Sequence, residues 1–167
     1  MMVPISKIVQ ARRRLNSVIS HTPLVLSPHL CEATGCEVYL KSENLQITGA
    51  YKIRGAYNKI SSLSAEKKQK GVITASAGNH AQGVAHSAKK FDVPAIIVMP
   101  FATPLLKVLG TKQLGAEVLL RGDNFDEAFA FATEYAQQEG LTFIHPFDDE
   151  IDRKSTRLNS SHWLTSR

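Results

Sequence analysis

The sequence has few of the features that would place it outside an ordinary soluble fold. Its 167 residues hold two cysteines, Cys31 and Cys36. These are too few for a disulfide framework, and no second pair stands at zinc-ligand spacing. Both read as reduced thiols, which points to a reducing compartment. The first ten residues, Met1 to Gln10, lack a long apolar core and a small-residue cleavage site, and no run of about eighteen apolar residues occurs anywhere. No secretory leader and no membrane span are expected, and the location expected is cytoplasmic. A basic surface is also missing. The net charge is +5, but Arg153, Lys154, Arg157 and Arg167 against Asp152 put three of those charges in the last sixteen residues. The remaining 151 residues carry +2, which leaves no electrostatic footprint for nucleic acid.

What is present is apolar and periodic. Hydrophobic residues make up 43% of the chain, enough to bury a core without metal or disulfide. From Ile5 to Val18 the apolar positions suit an amphipathic surface helix, with Arg12, Arg13 and Arg14 as its solvated face. His21-Thr22-Pro23-Leu24 ends it, because proline removes a donor and restricts the residue before it. The run 37–41 reads as a short strand. Short apolar runs then recur at 72–75, 95–99, 117–120 and 142–144, separated by helical stretches at 79–90, 104–114 and 123–139. This alternation predicts an α/β fold, an open, mainly parallel twisted sheet flanked by helices, whose ligands sit beyond the carboxyl ends of the strands. Past Ile151 the sequence turns polar and basic without period. It reads either as a disordered tail or as foreign sequence, since it resembles translated adapter or vector read-through.

Two loops carry candidate chemistry. Ser76-Ala77-Gly78-Asn79-His80 follows one strand and opens a helix. The N–H groups of a first helical turn and the positive dipole end favour a carboxylate or phosphate. Read locally, Ser76 or Asn79 could equally be a plain helix cap. The second is the stretch from Lys41 to Ala56, where Gly49 and Ala50 lead into a helix start at Tyr51 and Lys52. A lysine there sits at a positive dipole end, which favours the neutral amine that attacks an aldehyde. Local physics alone does not single Lys52 out among the chain's lysines. His80 and His86 lie six apart, on different helix faces, with no carboxylate or cysteine to complete a set, so no metal site is expected. Asp123 is expected to cap the last helix, with Asp126 three residues on.

The stretch 41–56, with Glu43-Asn44-Leu45-Gln46, Thr48-Gly49 and Lys52-Ile53-Arg54-Gly55-Ala56, resembles the cofactor-lysine motif of the serine/threonine dehydratases. The stretch 75–83 is similar to their substrate-carboxylate loop. The likeness runs from about Ile5 to Ile151 and includes 122–125 and 146–149. It implies a fold-type-II pyridoxal 5'-phosphate enzyme acting on a small amino acid, a threonine ammonia-lyase, with Lys52 holding the cofactor and removing the Cα proton. Tyr51, where the family usually has phenylalanine, would lie beside the cofactor ring, and Asn79 would bond its phenolic oxygen. Ser76, Ala77, Gly78, Asn79 and His80 would form the carboxylate loop. A serine racemase-like enzyme is the nearest alternative; it needs a second proton-transfer group where this chain has Ala77. A third reading is a non-catalytic fragment. Family members continue well over a hundred residues further, through a glycine-rich phosphate loop, and no glycine cluster follows Gly140 here. The resemblance further implies that residues 1–46 belong to a larger domain, that 47–151 form a smaller α/β domain, and that the parent enzyme is a homo-oligomer.

Overall fold

A computed structural model describes residues 4–146. The tail from Asp152, the end of the expected small domain and the Phe147-Asp148-Asp149 segment lie outside the described residues. Helix α1 (Ile5–Leu15) buries Ala11 and Leu15 and leaves the arginine triplet exposed. It stops three residues short of the expected Val18, where the Val18 N–H turns back onto the Leu15 carbonyl in a tighter, three-residue turn. Strand β1 (Leu24–Leu26), helix α2 (Pro28–Thr34) and strand β2 (Tyr39–Lys41) follow. β1 and β2 pair antiparallel, Val25 opposite Leu40. Neither β1 nor α2 is foreseen by the sequence pattern, and both are too short to show a period.

A 3-10 turn, Glu43–Leu45, leads through Gly49 to α3 (Lys52–Ser61), and α4 (Ala65–Lys70) precedes the main sheet. Gly49 has φ +68, a left-handed conformation that glycine adopts without cost. The sheet is built from β3 (Val72–Ala75), β4 (Ala95–Met99), β5 (Glu117–Leu120) and β6 (Thr142–Phe143), joined by α5 (Asn79–Lys90), α6 (Leu105–Gln113) and α7 (Phe125–Glu139). All four strands run parallel in the order β5-β4-β3-β6. The expected α/β architecture is therefore the observed one, with three strands and α5 at the expected bounds.

Period-two alternation divides the sheet's side chains between two cores. Val72, Ile97 and Met99 point to one face, where they pack with Ala56 and Ile60 of α3, Val84, Ala85 and Ala88 of α5 and Val108 of α6. Ile73, Ala75 and Val98 point to the other, against Ala128, Ala132 and Ala136 of α7. The alanines let α7 lie close on the sheet. Its N-terminus is capped by Asn124, not Asp123: the Asn124 side chain accepts from Glu127 N at 3.0 Å while the Glu127 carboxylate accepts from Asp123 N at 2.9 Å. The glutamate stands three residues after Asn124, the spacing a capping box needs, so the helix begins one residue later than Asp123 would set it.

Candidate active site

The chain order fixes where this sheet can take a ligand. From β3 the chain winds outward through β4 and β5, and α7 then carries it back to β6 on the other side of β3. The connections lie on one face of the sheet up to β5 and on the opposite face after it. Between β3 and β6 the winding reverses, and the crevice beyond their carboxyl ends is the switch point where open α/β sheets bind ligands.

The loop 76–78 leaves β3 at this point. Ser76 Oγ accepts from Gly78 N at 3.2 Å and from Ala81 N at 3.3 Å, so the hydroxyl caps α5 from inside the loop. Gly78 occupies the N-cap position, and a Cβ built there would meet none of the described residues within 4 Å. Among the described residues, the loop thus opens on free space in front of the first turn of a twelve-residue helix. Asn79 is exposed at that turn, and Ala77 packs partly buried against the first core. His80 is buried, its Nε2 lying 3.2 Å from the Ile144 carbonyl at the end of β6. Its ring therefore braces the core. What His80 can offer an anion is its backbone N–H, one of those a first helical turn leaves without an intrahelical acceptor.

Lys52 is the first residue of α3, with Tyr51 in the N-cap position. Its Nζ donates to the Pro146 carbonyl at 2.6 Å and lies 5.6 Å from the centroid of the half-exposed Tyr51 ring. The end of β6 is thus the common neighbour of both motifs, touching His80 through Ile144 and Lys52 through Pro146. The two helices also meet directly. A Cβ on Gly83 would stand 3.1 Å from the Lys52 carbonyl carbon and 3.2 Å from the Ile53 nitrogen, so the missing side chain at 83 lets α5 run under the backbone of Lys52. Thr48 Oγ1, four residues before Lys52, is buried without a hydrogen-bond partner among the described residues. An amine, an aromatic side chain, an open helix N-terminus and an unused buried hydroxyl fit an anionic aldehyde.

Residues 15–156 match the family described as pyridoxal-phosphate dependent enzyme. The chain belongs to the pyridoxal-phosphate dependent enzymes. Among curated members it is 52% identical to the L-threonine ammonia-lyase of Thermotoga maritima over 148 residues, which cover 89% of this chain and 37% of that one. It is 47% identical to the catabolic L-threonine dehydratase of Staphylococcus aureus over 150 residues, 89% of this chain and 43% of that one. The chain therefore spans less than half the length of these relatives. Among solved structures, the processed threonine deaminase isoform 2 of Solanum lycopersicum superposes with a TM-score of 0.81 at 39% identity, covering 95% of this chain and 49% of that one. Maize serine racemase superposes with 0.89 at 31%, covering 98% and 50%.

For a pyridoxal-phosphate dependent enzyme the structure adds contacts that motif reading does not assign to its residues. Pro146 offers a backbone carbonyl, which no side-chain pattern can announce. Arg54 and Glu43 form a buried ion pair, with Nε and Nη2 each 2.8 Å from a carboxylate oxygen and side chains 7% and 11% exposed. Thr22 Oγ1 donates to the same carboxylate at 2.6 Å, and Lys41 Nζ donates to the Thr22 carbonyl at 2.7 Å. The signal was available: an arginine on a face otherwise buried, eleven residues from a glutamate. Among the described residues no three histidine, cysteine or acidic side chains gather as a metal set.

Burial alone would push the Glu43 carboxyl up, but hydrogen bonds from Arg54 and Thr22 and the Arg54 charge outweigh it and hold the group below its ordinary value of 4.5. The folded chain then binds fewer protons than the unfolded one as pH falls through this range. The stabilisation is present above pH 4.5 and is lost in acid. Urea unfolding of the wild type should show that loss, whereas Glu43→Gln should be weaker at neutral pH and change less on acidification. Parallel pH profiles for the two proteins would refute it.

Proposed function

We propose that the chain is the N-terminal part of a threonine ammonia-lyase, which converts threonine, and serine as a second substrate, to the 2-oxoacid and ammonia. The observation that carries this reading is the meeting of Lys52 and the 76–80 loop at the end of β6, in a chain about half identical to threonine ammonia-lyases. In this reading Lys52 holds pyridoxal phosphate through its amine, Tyr51 lies against the ring and Asn79 bonds the phenolic oxygen. The N–H groups at the start of α5, with Ser76, Ala77, Gly78, Asn79 and His80 forming the loop, take the substrate carboxylate. The cofactor supplies an electron sink for the pair left when the Cα–H bond breaks. Lys52 Nζ would take that proton, and the β-hydroxyl would leave as water on receiving a proton. Uptake of water then releases ammonia. The parent enzyme is read as a cytoplasmic homo-oligomer.

Serine racemase is the competing reading, because the superposition on that fold is at least as close. Racemisation needs a proton donor on the face of the carbanion opposite the lysine. Ala77 carries no exchangeable proton and turns its methyl to the core, which favours elimination.

Residues 47–151 are proposed as the small α/β domain and 1–46 as the start of a larger one. The two sheets share no strand, and Leu24, Val25, Leu26 and Leu40 on the antiparallel pair are exposed, as expected of a sheet that normally packs on more protein. The chain spans 37% of the Thermotoga maritima relative, and these 167 residues alone, mixed with pyridoxal phosphate, should show little or no visible absorbance of the lysine-bound cofactor. A strong band that disappears in Lys52→Ala would overturn that expectation. The function itself is tested in a chimera in which residues 1–146 replace their counterpart in the Thermotoga maritima enzyme. Threonine-dependent release of 2-oxobutanoate supports the reading. A folded, cofactor-loaded chimera that racemises serine without elimination refutes it.

A further inference from the structure

The Thr22–Glu43–Arg54 cluster lies outside the loops that would touch cofactor or substrate, yet it is fixed to the turn that carries the lysine. Arg54 is the third residue of α3 and Lys52 the first. At about 100° per residue the two side chains leave the helix roughly 200° apart, on nearly opposite sides of one turn. On the Arg54 side the guanidinium grips Glu43 through two 2.8 Å bonds, and Glu43 is held in turn by Thr22 Oγ1. The chain leading into α3 is tied to the same segment a second time: Gln46 Oε1 accepts from Ser20 N at 3.1 Å and Gln46 Nε2 donates to Ser20 O at 2.7 Å. On the other side Gly83 of α5 sits against the Lys52 backbone. The first turn of α3 can therefore neither rotate nor slide without breaking a buried charge-assisted bond or driving backbone into backbone.

We propose that Thr22, Glu43 and Arg54 are positioning residues for Lys52, fixing the rotation of the α3 first turn so that Nζ reaches the end of β6. The inference rests on Lys52 being the cofactor lysine. A scaffold role alone would make these residues matter to overall stability and leave the lysine amine indifferent to them. A positioning role makes the environment of one amine depend on a hydroxyl at position 22, which the structure connects to it only through Glu43 and Arg54.

The test is competitive amine acetylation of the full 167-residue chain without cofactor, with Lys52 quantified by mass spectrometry against the exposed Lys107. Each protein is labelled at a temperature where circular dichroism shows it folded. In the wild type the bond to Pro146 should slow Lys52 relative to Lys107. Thr22→Val removes the hydroxyl at nearly constant shape and should speed Lys52 roughly tenfold, the effect of losing one hydrogen bond to a charged group. Thr22→Ser keeps the hydroxyl and should restore the wild-type ratio, and Glu43→Gln should behave as Thr22→Val does. A Thr22→Val ratio equal to wild type, or equal acceleration in the Ser and Val variants, overturns the proposal. Because no cofactor is present, the outcome does not depend on whether the chain binds pyridoxal phosphate, and failure of the proposed function would leave it readable.

Discussion

Replacing Lys52 with alanine in the chimera with the Thermotoga maritima enzyme should lower threonine elimination at least about a thousandfold, while leaving its melting temperature almost unchanged. In the proposed function two roles would be lost together, since the same amine would hold the cofactor and remove the Cα proton, and positioned proton transfer alone contributes about 10²–10⁴. Stability should hardly move, because Lys52 is only partly buried and its hydrogen bond to Pro146 goes to a backbone carbonyl that water can serve instead. Lys52→Arg is the matching control. It keeps the charge and the bond to Pro146 but cannot form the link to the cofactor, and it should be as inactive as the alanine variant. Release of 2-oxobutanoate is the measurement, with visible absorbance reporting cofactor attachment. Activity within about tenfold of the parent chimera in either variant would remove Lys52 from the chemistry.

How much of this was legible in the sequence differs by element, for physical reasons. The central strands declared themselves because a parallel sheet covered on both faces needs apolar runs, and β3 and β4 are such buried runs between polar turns, while β5 at the sheet edge is only half-buried behind the exposed Glu117. The start of α3 was legible from Gly49, whose left-handed backbone restricts the residue type, and the start of α5 from the small polar loop that follows a strand. β1 was not, because its three residues are all exposed and their apolarity has no packed counterpart in this chain. The cap of α7 was misplaced by one residue because Asp123 and Asp126 mimic the spacing that Asn124 and Glu127 in fact use. In the candidate site, the sequence named the residues but not their directions. His80 is read from the sequence as part of a carboxylate loop, yet its ring serves the end of β6. Contacts that depend on tertiary approach, such as Lys52 with Pro146 across 94 positions, leave no local trace.

Arg54→Ala should be strongly destabilising, costing up to about 3–5 kcal/mol, because it leaves a largely buried carboxylate without its counter-charge. The Glu43 side chain is 11% exposed, so water cannot replace the two bonds of the guanidinium. Such a loss is a large fraction of a domain stability of about 5–15 kcal/mol, and the variant should unfold at markedly lower urea concentration or fail to accumulate. The informative comparison is Arg54→Met combined with Glu43→Leu. Removing both charges abolishes the desolvation penalty along with the attraction, so the double variant should recover most of the stability that the single change forfeits. If the pair serves the fold alone, the double variant will also restore slow acetylation of Lys52. If it serves to set α3 in register, stability will return while Lys52 stays fast, because apolar packing lacks the direction of a two-pronged hydrogen bond. Urea midpoints for the single and double variants measure the first effect and Lys52 labelling the second. A single variant that unfolds within about 1 kcal/mol of wild type would show that the pair is not buried in solution as it is in the structure.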